Sequence, residues 1–535
     1  MIDKTPRHEF TSIDYIKLMR GDLIEDSDYK SFYQTMYTES GPQAAIIIRD
    51  AILPKIILNE DFECKYSIYI SNSIIDGITI TAGRFNTLSL TNIQLKPPTR
   101  IDIKGGNFKS LYLDGLIEED SYITGGNFDS LYVANAEFKK SLSIKNGTFR
   151  EIYLSGIKVN GLFIAEGNYG TFRIVGGAGP NDCLISGLYF QGGNFSNLMI
   201  YGLSNIEKMY MSSGRFINIL LSSEGLKDIS IDGSKNHYTQ GGIVKYYEPL
   251  IIDNINIQQL GKANILIKDT NIKTIEFSNS YINKDAIIRI NNLDLIKLSF
   301  NNIINYGMTT LNNIRMNNKS QLTIAHSDLG KLTFINCRIY PSNFRFESSK
   351  IADVFLSGTM LPENIESISP EEMRFGYSQI KKIHESRGDS VGYHFFFSKE
   401  MNAYYNTLSF KQDPWEKFNL TLNKYSTNHG QSWKRGLFSL LLFTIISYSI
   451  YCYTLGFSII LPFKEVDIHL FIKLISYIFE YLNPVHKTDY IPDSLHEAFS
   501  AQRLSLARGW EGLSRIFIAY LIYQFIQAFR KLGKR

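Results

Sequence analysis

The chain has 535 residues, too many for one ordinary hydrophobic core, so about two to four structural units are expected. Hydrophobic residues make up 44% and charged residues 20%, which excludes a disordered chain, and the four scattered cysteines (Cys64, Cys183, Cys337, Cys452) form no CxxC pair and argue against a disulfide scaffold or a cysteine zinc site. The net charge is +4, but the last 165 residues carry +6 and the first 370 carry −2, which excludes a DNA-coating protein and allows a basic C-terminal third near a membrane or an anionic ligand.

The N-terminal stretch MIDKTPRHEFTSIDYIKLMRGD lacks the apolar segment of a secretory signal, so the first part of the chain is expected in the cytoplasm. Residues 1–60 are more polar and partly helical in pattern, and read as an N-terminal cap.

Residues 61–360 carry a repeat of the form Gly-x-aromatic-x-x-apolar-x-apolar. It begins at Gly83, Phe85, Leu88 and Leu90 and returns at Gly106, Gly126, Gly147, Gly167, Gly193 and Gly214, with steps of 23, 20, 21, 20, 26 and 21 residues. A second alternating apolar triplet, such as Leu142-Ser143-Ile144, lies between successive copies. Period-two alternation puts one face inward, and glycine supplies a turn that a Cβ would oppose. The expected fold class is mainly β, a right-handed parallel β-solenoid with apolar ladders inside, followed by an α-helical linker and a two-helix transmembrane domain. After residue 221 the glycines fade, but pairs such as Ile275/Phe277, Leu322/Ile324 and Phe344/Phe346 keep the rhythm to about residue 360. Asn107, Asn127, Asn168 and Asn194 sit beside the glycines and read as a ladder or as turn residues. Glu118-Glu119-Asp120 reads as a solvated turn; no catalytic residue, metal ligand set or cofactor loop is assigned.

Residues 361–433 change texture. Ser369-Pro370-Glu371-Glu372 has the capping and acidic pattern of a helix start, Gly388-Asp389 breaks the run, a second helix covers Val391 to Leu408, and Asp413-Pro414 opens a third. Lys381, Lys382, Arg387 and Lys399 lie among aromatics that include Tyr393 and Phe396. Basic residues interleaved with aromatics suit a single-stranded nucleic-acid oligomer; a helical hairpin with an aromatic core and a solvated basic face is the alternative.

Residues 434–535 read as a membrane hairpin. The 26 residues Gly436 to Leu461 are almost free of charge, longer than the ~20 a span requires. Trp433, Lys434 and Arg435 precede them as interfacial anchor and positive flank. Leu513 to Phe529 forms a second, more polar span followed by Arg530, Lys531, Lys534 and Arg535, so both outer flanks are expected on the cytoplasmic side. Thr444, Ser447, Tyr451, Thr454 and Ser458 share one face of the first span, and Tyr520, Gln524 and Gln527 one face of the second. They suit either the lining of a pore made by several copies or hydrogen bonds inside a packed bundle. Between the spans, His469 to Leu482 is too short to cross, and Ser494 to Leu506 has an amphipathic pattern, so this connection is interfacial or re-entrant; no TVGYG-like filter is present.

The stretches GYHFFFSKEMNAYY (392–405), NHGQSWKRGLFSLLLF (428–443) and SRIFIAYLIYQFIQAFRKLGK (514–534), behind a glycine-punctuated repeat, resemble bacterial membrane-anchored β-helix and pentapeptide-repeat-like proteins with a C-terminal two-span domain. Among these the chain is most similar to the transmembrane effectors of Hailong-type anti-phage systems. The resemblance implies a tetrameric channel in the bacterial inner membrane, held closed by a short single-stranded DNA oligomer and opened on infection. It also implies a partner nucleotidyltransferase that makes the oligomer. A membrane-anchored scaffold that docks a protein on its solenoid is the alternative, and a β-helix enzyme acting on polysaccharide is a third reading.

Overall fold

The computed structural model describes residues 8–530 except 10, 21, 39–40, 60–61, 65, 178–181, 236, 241–242, 247–248, 341–342, 352, 457–467, 489–490 and 492–499. It divides into two compact units, Met1–Glu366 and Ser367–Arg535.

The first unit is a parallel β-solenoid of about thirteen turns. Each strand hydrogen-bonds to its equivalent one turn away, so like residues stack on like. One register line runs Ile46, Ile68, Leu88, Leu111, Leu131, Ile152, Phe172, Leu198 and Ile219. It continues through Ile255, Ile275, Leu298, Leu322 and Phe344. All these side chains are buried, each contributing about 1.5–3 kcal/mol relative to exposure.

The aromatic of the repeat forms a second column. Phe85, Phe108, Phe128, Phe149, Tyr169, Phe195 and Phe216 stack nearly parallel, with neighbouring centroids 4.4 to 5.3 Å apart. The glycine two residues earlier is required by this column. At Gly126 the backbone is left-handed (φ +98°), and a Cβ would lie 2.8 Å from the Gly106 carbonyl oxygen. The asparagine ladder is also present: Asn127 Nδ2 donates to Asn107 Oδ1 at 2.8 Å, and Asn194 Nδ2 to Asn168 Oδ1 at 3.1 Å.

Past residue 221 an antiparallel hairpin, His237–Gln240 with Ile243–Tyr246, interrupts the coils before Leu250 resumes the register. The later coils turn on Asp269, Asn292, Asn313 and Asn336, all left-handed, residues that tolerate this conformation. The glycine signature fades where the aromatic column ends: Leu250 stands in register with Gly214, and Ile252 and Ile272 follow Phe216.

The first coil starts earlier than residue 61. Ala45–Arg49 pairs in parallel with Ser67–Ser71, and Ile56–Leu58 with Ile78–Ile80. These coils lack the glycine-aromatic signature, so their strands are not separable from a cap by pattern. Ahead of them lie helix α1 (Ser12–Arg20) and the antiparallel pair Tyr33–Thr38 with Gly41–Ile46.

The second unit is helical, and residues 361–433 and 434–535 share it from Ser367 onward. Its helices are α2 (Pro370–Ser386), α3 (Ser390–Thr407), α4 (Pro414–Thr427), α5 (Trp433–Leu455), α6 (Ile468–Tyr481) and α7 (Ala501–Arg530). The Ser369 hydroxyl accepts from the Glu372 N–H, and the Asp389 carboxylate from the Gly392 N–H, capping α2 and α3. The sequence separates an amphipathic segment ending at Leu506 from a span starting at Leu513. The structure instead runs one helix from Ala501 across that boundary to Arg530, because the intervening residues 507–512 include no proline and Gly509 and Gly512 do not stop a helix. Residues 492–499 of the amphipathic segment lie outside the described residues.

Replacing Phe128 by Ala removes one ring from the column and is expected to cost ~3–5 kcal/mol, seen as a lower urea midpoint. Asp129→Ala, on the exposed face of the same strand, should stay within about 0.5 kcal/mol of the parent.

Candidate functional site

By length and composition, α5 (23 residues) and α7 (30 residues) are long and apolar enough to cross a membrane. Their outward faces are apolar: Phe438, Leu441, Ile445 and Ile446 on α5, and Leu513, Ile516 and Ile526 on α7, are exposed. α6 presents Ile472, Ile475 and Phe479 in the same way. A soluble domain rarely leaves so much apolar surface uncovered.

The inward faces carry a polar seam. Thr444, Ser447 and Tyr451 are buried within the chain's own bundle. The Ser447 and Tyr481 hydroxyls lie 3.0 Å apart, Tyr481 and Ser514 lie 2.6 Å apart, and Trp510 Nε1 donates to the Ser447 carbonyl at 2.9 Å. Thr444 Oγ1 donates to the Leu440 carbonyl and Thr454 Oγ1 to the Tyr451 carbonyl, satisfying both within α5. Of the five residues read on this face, Ser458 lies outside the described residues. Gln524 and Gln527 do not join the seam; they face a separate cavity beside α3 and α4.

At the end of the seam lies an ionisable cluster. Glu511 on α7 is 0% exposed. Its Oε1 sits 2.8 Å from His486 Nε2 and accepts from Arg515 at 2.7 Å, while its Oε2 has no hydrogen-bond partner among the described residues. The other ring nitrogen of His486 lies 2.6 Å from the Asn483 carbonyl oxygen, which pins the turn after α6 onto α7. A single acid, Glu511, four residues ahead of Arg515 at the edge of an apolar helix was the available signal.

The basic-aromatic segment is split between core and surface. Phe396 is 4% exposed and packs on His384, with ring centroids 5.1 Å apart. Lys381 pairs with Glu400 at 2.7 Å and lies over the rings of Tyr393 and Phe397. Lys399 lies over Phe395 at 5.5 Å. Lys382 and Arg387 are exposed. The α2–α3 pair therefore shows an aromatic interior with cations on its rim.

In the solenoid, Glu119 pairs with Lys140, and Asp120 accepts from the Ser141 N–H at 3.0 Å, so these acids tie one turn to the next. Among the described residues, no three His, Cys, Asp or Glu side chains gather as a metal site. Between α4 and α5 three consecutive residues, Asn428, His429 and Gly430, adopt left-handed backbone (φ 52°, 55° and 77°). This turns the His429 imidazole inward, where burial, with a smaller effect from Lys424, pushes it down to about 4.

Comparison with family models, with curated proteins and with solved structures found no match. The fold and the helical unit define a parallel β-solenoid protein with two C-terminal candidate membrane spans.

Tyr481→Phe removes the hydroxyl that bridges Ser447 and Ser514, and is expected to cost about 1 kcal/mol, read as a lower thermal midpoint in detergent. His429 gives a pH signature. The unfolded imidazole takes up its proton near 6.5 and the folded one only near 4, so its stability contribution is whole at pH 7 and falls as pH drops through that window. The melting midpoint should drop between pH 7 and pH 5, and drop less in His429→Gln.

Proposed function

We propose that this chain is the membrane effector of a bacterial anti-phage system, a homo-oligomeric ion channel gated by a cytosolic nucleic-acid oligomer and depolarising the cell when released. The observation that supports this best is the seam of hydroxyls ending in His486, Glu511 and Arg515, inside a bundle whose outer faces are apolar. A helix pair that only tethers has no need of buried ionisable groups, which are costly at membrane depth and mark ion or proton pathways. In one copy the seam is packed shut, and on this reading that packing is the closed arrangement. Opening moves α6 and the turn held by His486 away, exposing Thr444, Ser447 and Tyr451 to water. Four copies in the bacterial inner membrane, with the solenoid on the cytoplasmic side, would bring these faces together.

The ligand would be a short single-stranded DNA oligomer supplied by a partner nucleotidyltransferase. Lys382, Arg387 and Lys399 are its candidate phosphate contacts, with Lys381 and Tyr393 supporting the rim from the Glu400 pair. An oligomer holds the channel closed only through tighter binding to the closed state. No catalytic residue or cofactor is assigned.

The second reading is a non-conducting scaffold. It is favoured by the outward aromatic column Phe163, Tyr189 and Tyr210, with centroids 4.7 and 5.5 Å apart and Tyr210 exposed, which would suit a protein partner.

Ion flux through liposomes carrying the full-length protein separates the two. Flux suppressed by DNA oligomers, and altered in Glu511→Gln, is the expected result. Flux that ignores oligomers removes the ligand, and no flux from folded, inserted protein transfers the reading to the scaffold.

A further inference from the structure

A cavity of about 320 Å³ lies between α3, α4 and α7, inside the helical unit and separate from the seam. That size is at the lower end of the ~300–1,000 Å³ typical of small-molecule sites. Its wall carries no charged side chain. Four carboxamides line it, Asn419 and Asn423 from α4 and Gln524 and Gln527 from α7, together with His429.

One of these groups has an enclosed atom without a partner among the described residues. His429 is 5% exposed, and its Nε2 is enclosed with no hydrogen bond. With its pKa pushed down to about 4, the imidazole is neutral at pH 7 and offers one donor or one acceptor, not a charge. Gln524, 6% exposed, lines the same cavity. Buried polar groups are ordinarily hydrogen-bonded, so an enclosed imidazole nitrogen beside a cavity points to a partner that the described residues do not supply. The left-handed turn at 428–430 that aims His429 inward is itself strained, a feature that clusters at ligand clamps.

The wall selects the ligand. With no cation present, a phosphate or carboxylate would be desolvated without a counter-charge, and with no anion present an ammonium would be too. Carboxamides both donate and accept, so they match a ligand edge that alternates donors and acceptors. Tyr520, Tyr523 and Phe397 supply flat aromatic faces. The geometry points to a site for one uncharged, flat heterocycle with a hydrogen-bonding edge, a nucleobase, its phosphates left outside. Because Gln524 and Gln527 belong to a candidate span while Asn419 and Asn423 belong to the layer of helices before it, an occupant holds the two together. The inference rests on the proposed oligomer ligand only for the origin of the base.

The test is calorimetry on the full-length protein in detergent, with two probes: free 2′-deoxynucleosides, which carry no phosphate, and a trimeric single-stranded DNA. Glucose serves as an uncharged hydrogen-bonding ligand without a flat ring. Parent protein is expected to bind at least one deoxynucleoside, and Gln524→Leu and His429→Phe to weaken that binding at least tenfold, with melting curves at pH 7 confirming that each variant is folded. Asn419→Leu gives an independent check should either variant fail to fold. Trimer bound with affinity unchanged in the pocket variants overturns this site and leaves the oligomer reading standing. A deoxynucleoside bound in a pocket-dependent way without trimer binding upholds the site and overturns the oligomer reading. Binding of neither probe, or of glucose as well as the nucleosides, overturns the site.

Discussion

Each coil of the solenoid is an incomplete structure until the next one forms. A strand such as Glu137–Ser155 cannot satisfy its amides alone, and its equivalent one turn away supplies the partners in register. That constraint forces like to stack on like. A phenylalanine must lie on a phenylalanine, as Phe108 lies on Phe128 at 4.7 Å, and a residue with a Cβ cannot stand where Gly126 passes the Gly106 carbonyl. The exposed asparagine ladder follows the same rule on the outer surface, where one amide donates to the amide below it.

The helical unit obeys the opposite constraint. Its two long helices are apolar outside, so polar atoms on their inner faces have to find partners within the bundle. Tyr481 does this for two helices at once by bridging Ser447 and Ser514. Glu511 is held by His486 and Arg515 but keeps one oxygen unpartnered among the described residues. The arrangement is therefore satisfied at the hydroxyls and, among the described residues, incomplete at the ionisable end.

The repeat was legible because the glycine and aromatic positions are dictated by local geometry and recur in number. Helix ends were legible for a similar reason: Ser369-Pro370 and Asp389 cap their helices with local hydrogen bonds. Coils without the signature, such as those starting at Ala45, are not distinguishable from a cap in the sequence, because their strands differ from any short apolar stretch only by pairing with residues about 22 positions on. In the basic-aromatic segment the pattern alone left Phe396 and Lys382 as equals, whereas packing of α2 on α3 makes one a core residue and the other a surface cation.

The same division holds for the chemistry. Sequence by itself determined the solenoid, the helical segment and the two apolar helices, since each depends on periodicity over neighbouring residues. It also placed Ser447, Tyr451 and Gln524 on faces of their helices. Only the tertiary structure decided which face meets which: that Ser447 and Tyr451 turn to Tyr481, that Gln524 turns instead to His429, and that His486 meets Glu511 25 residues away. Periodicity fixes the angle of a side chain about its own helix axis, whereas its neighbour depends on how separate helices pack, and that is set by long-range burial which no local spacing encodes.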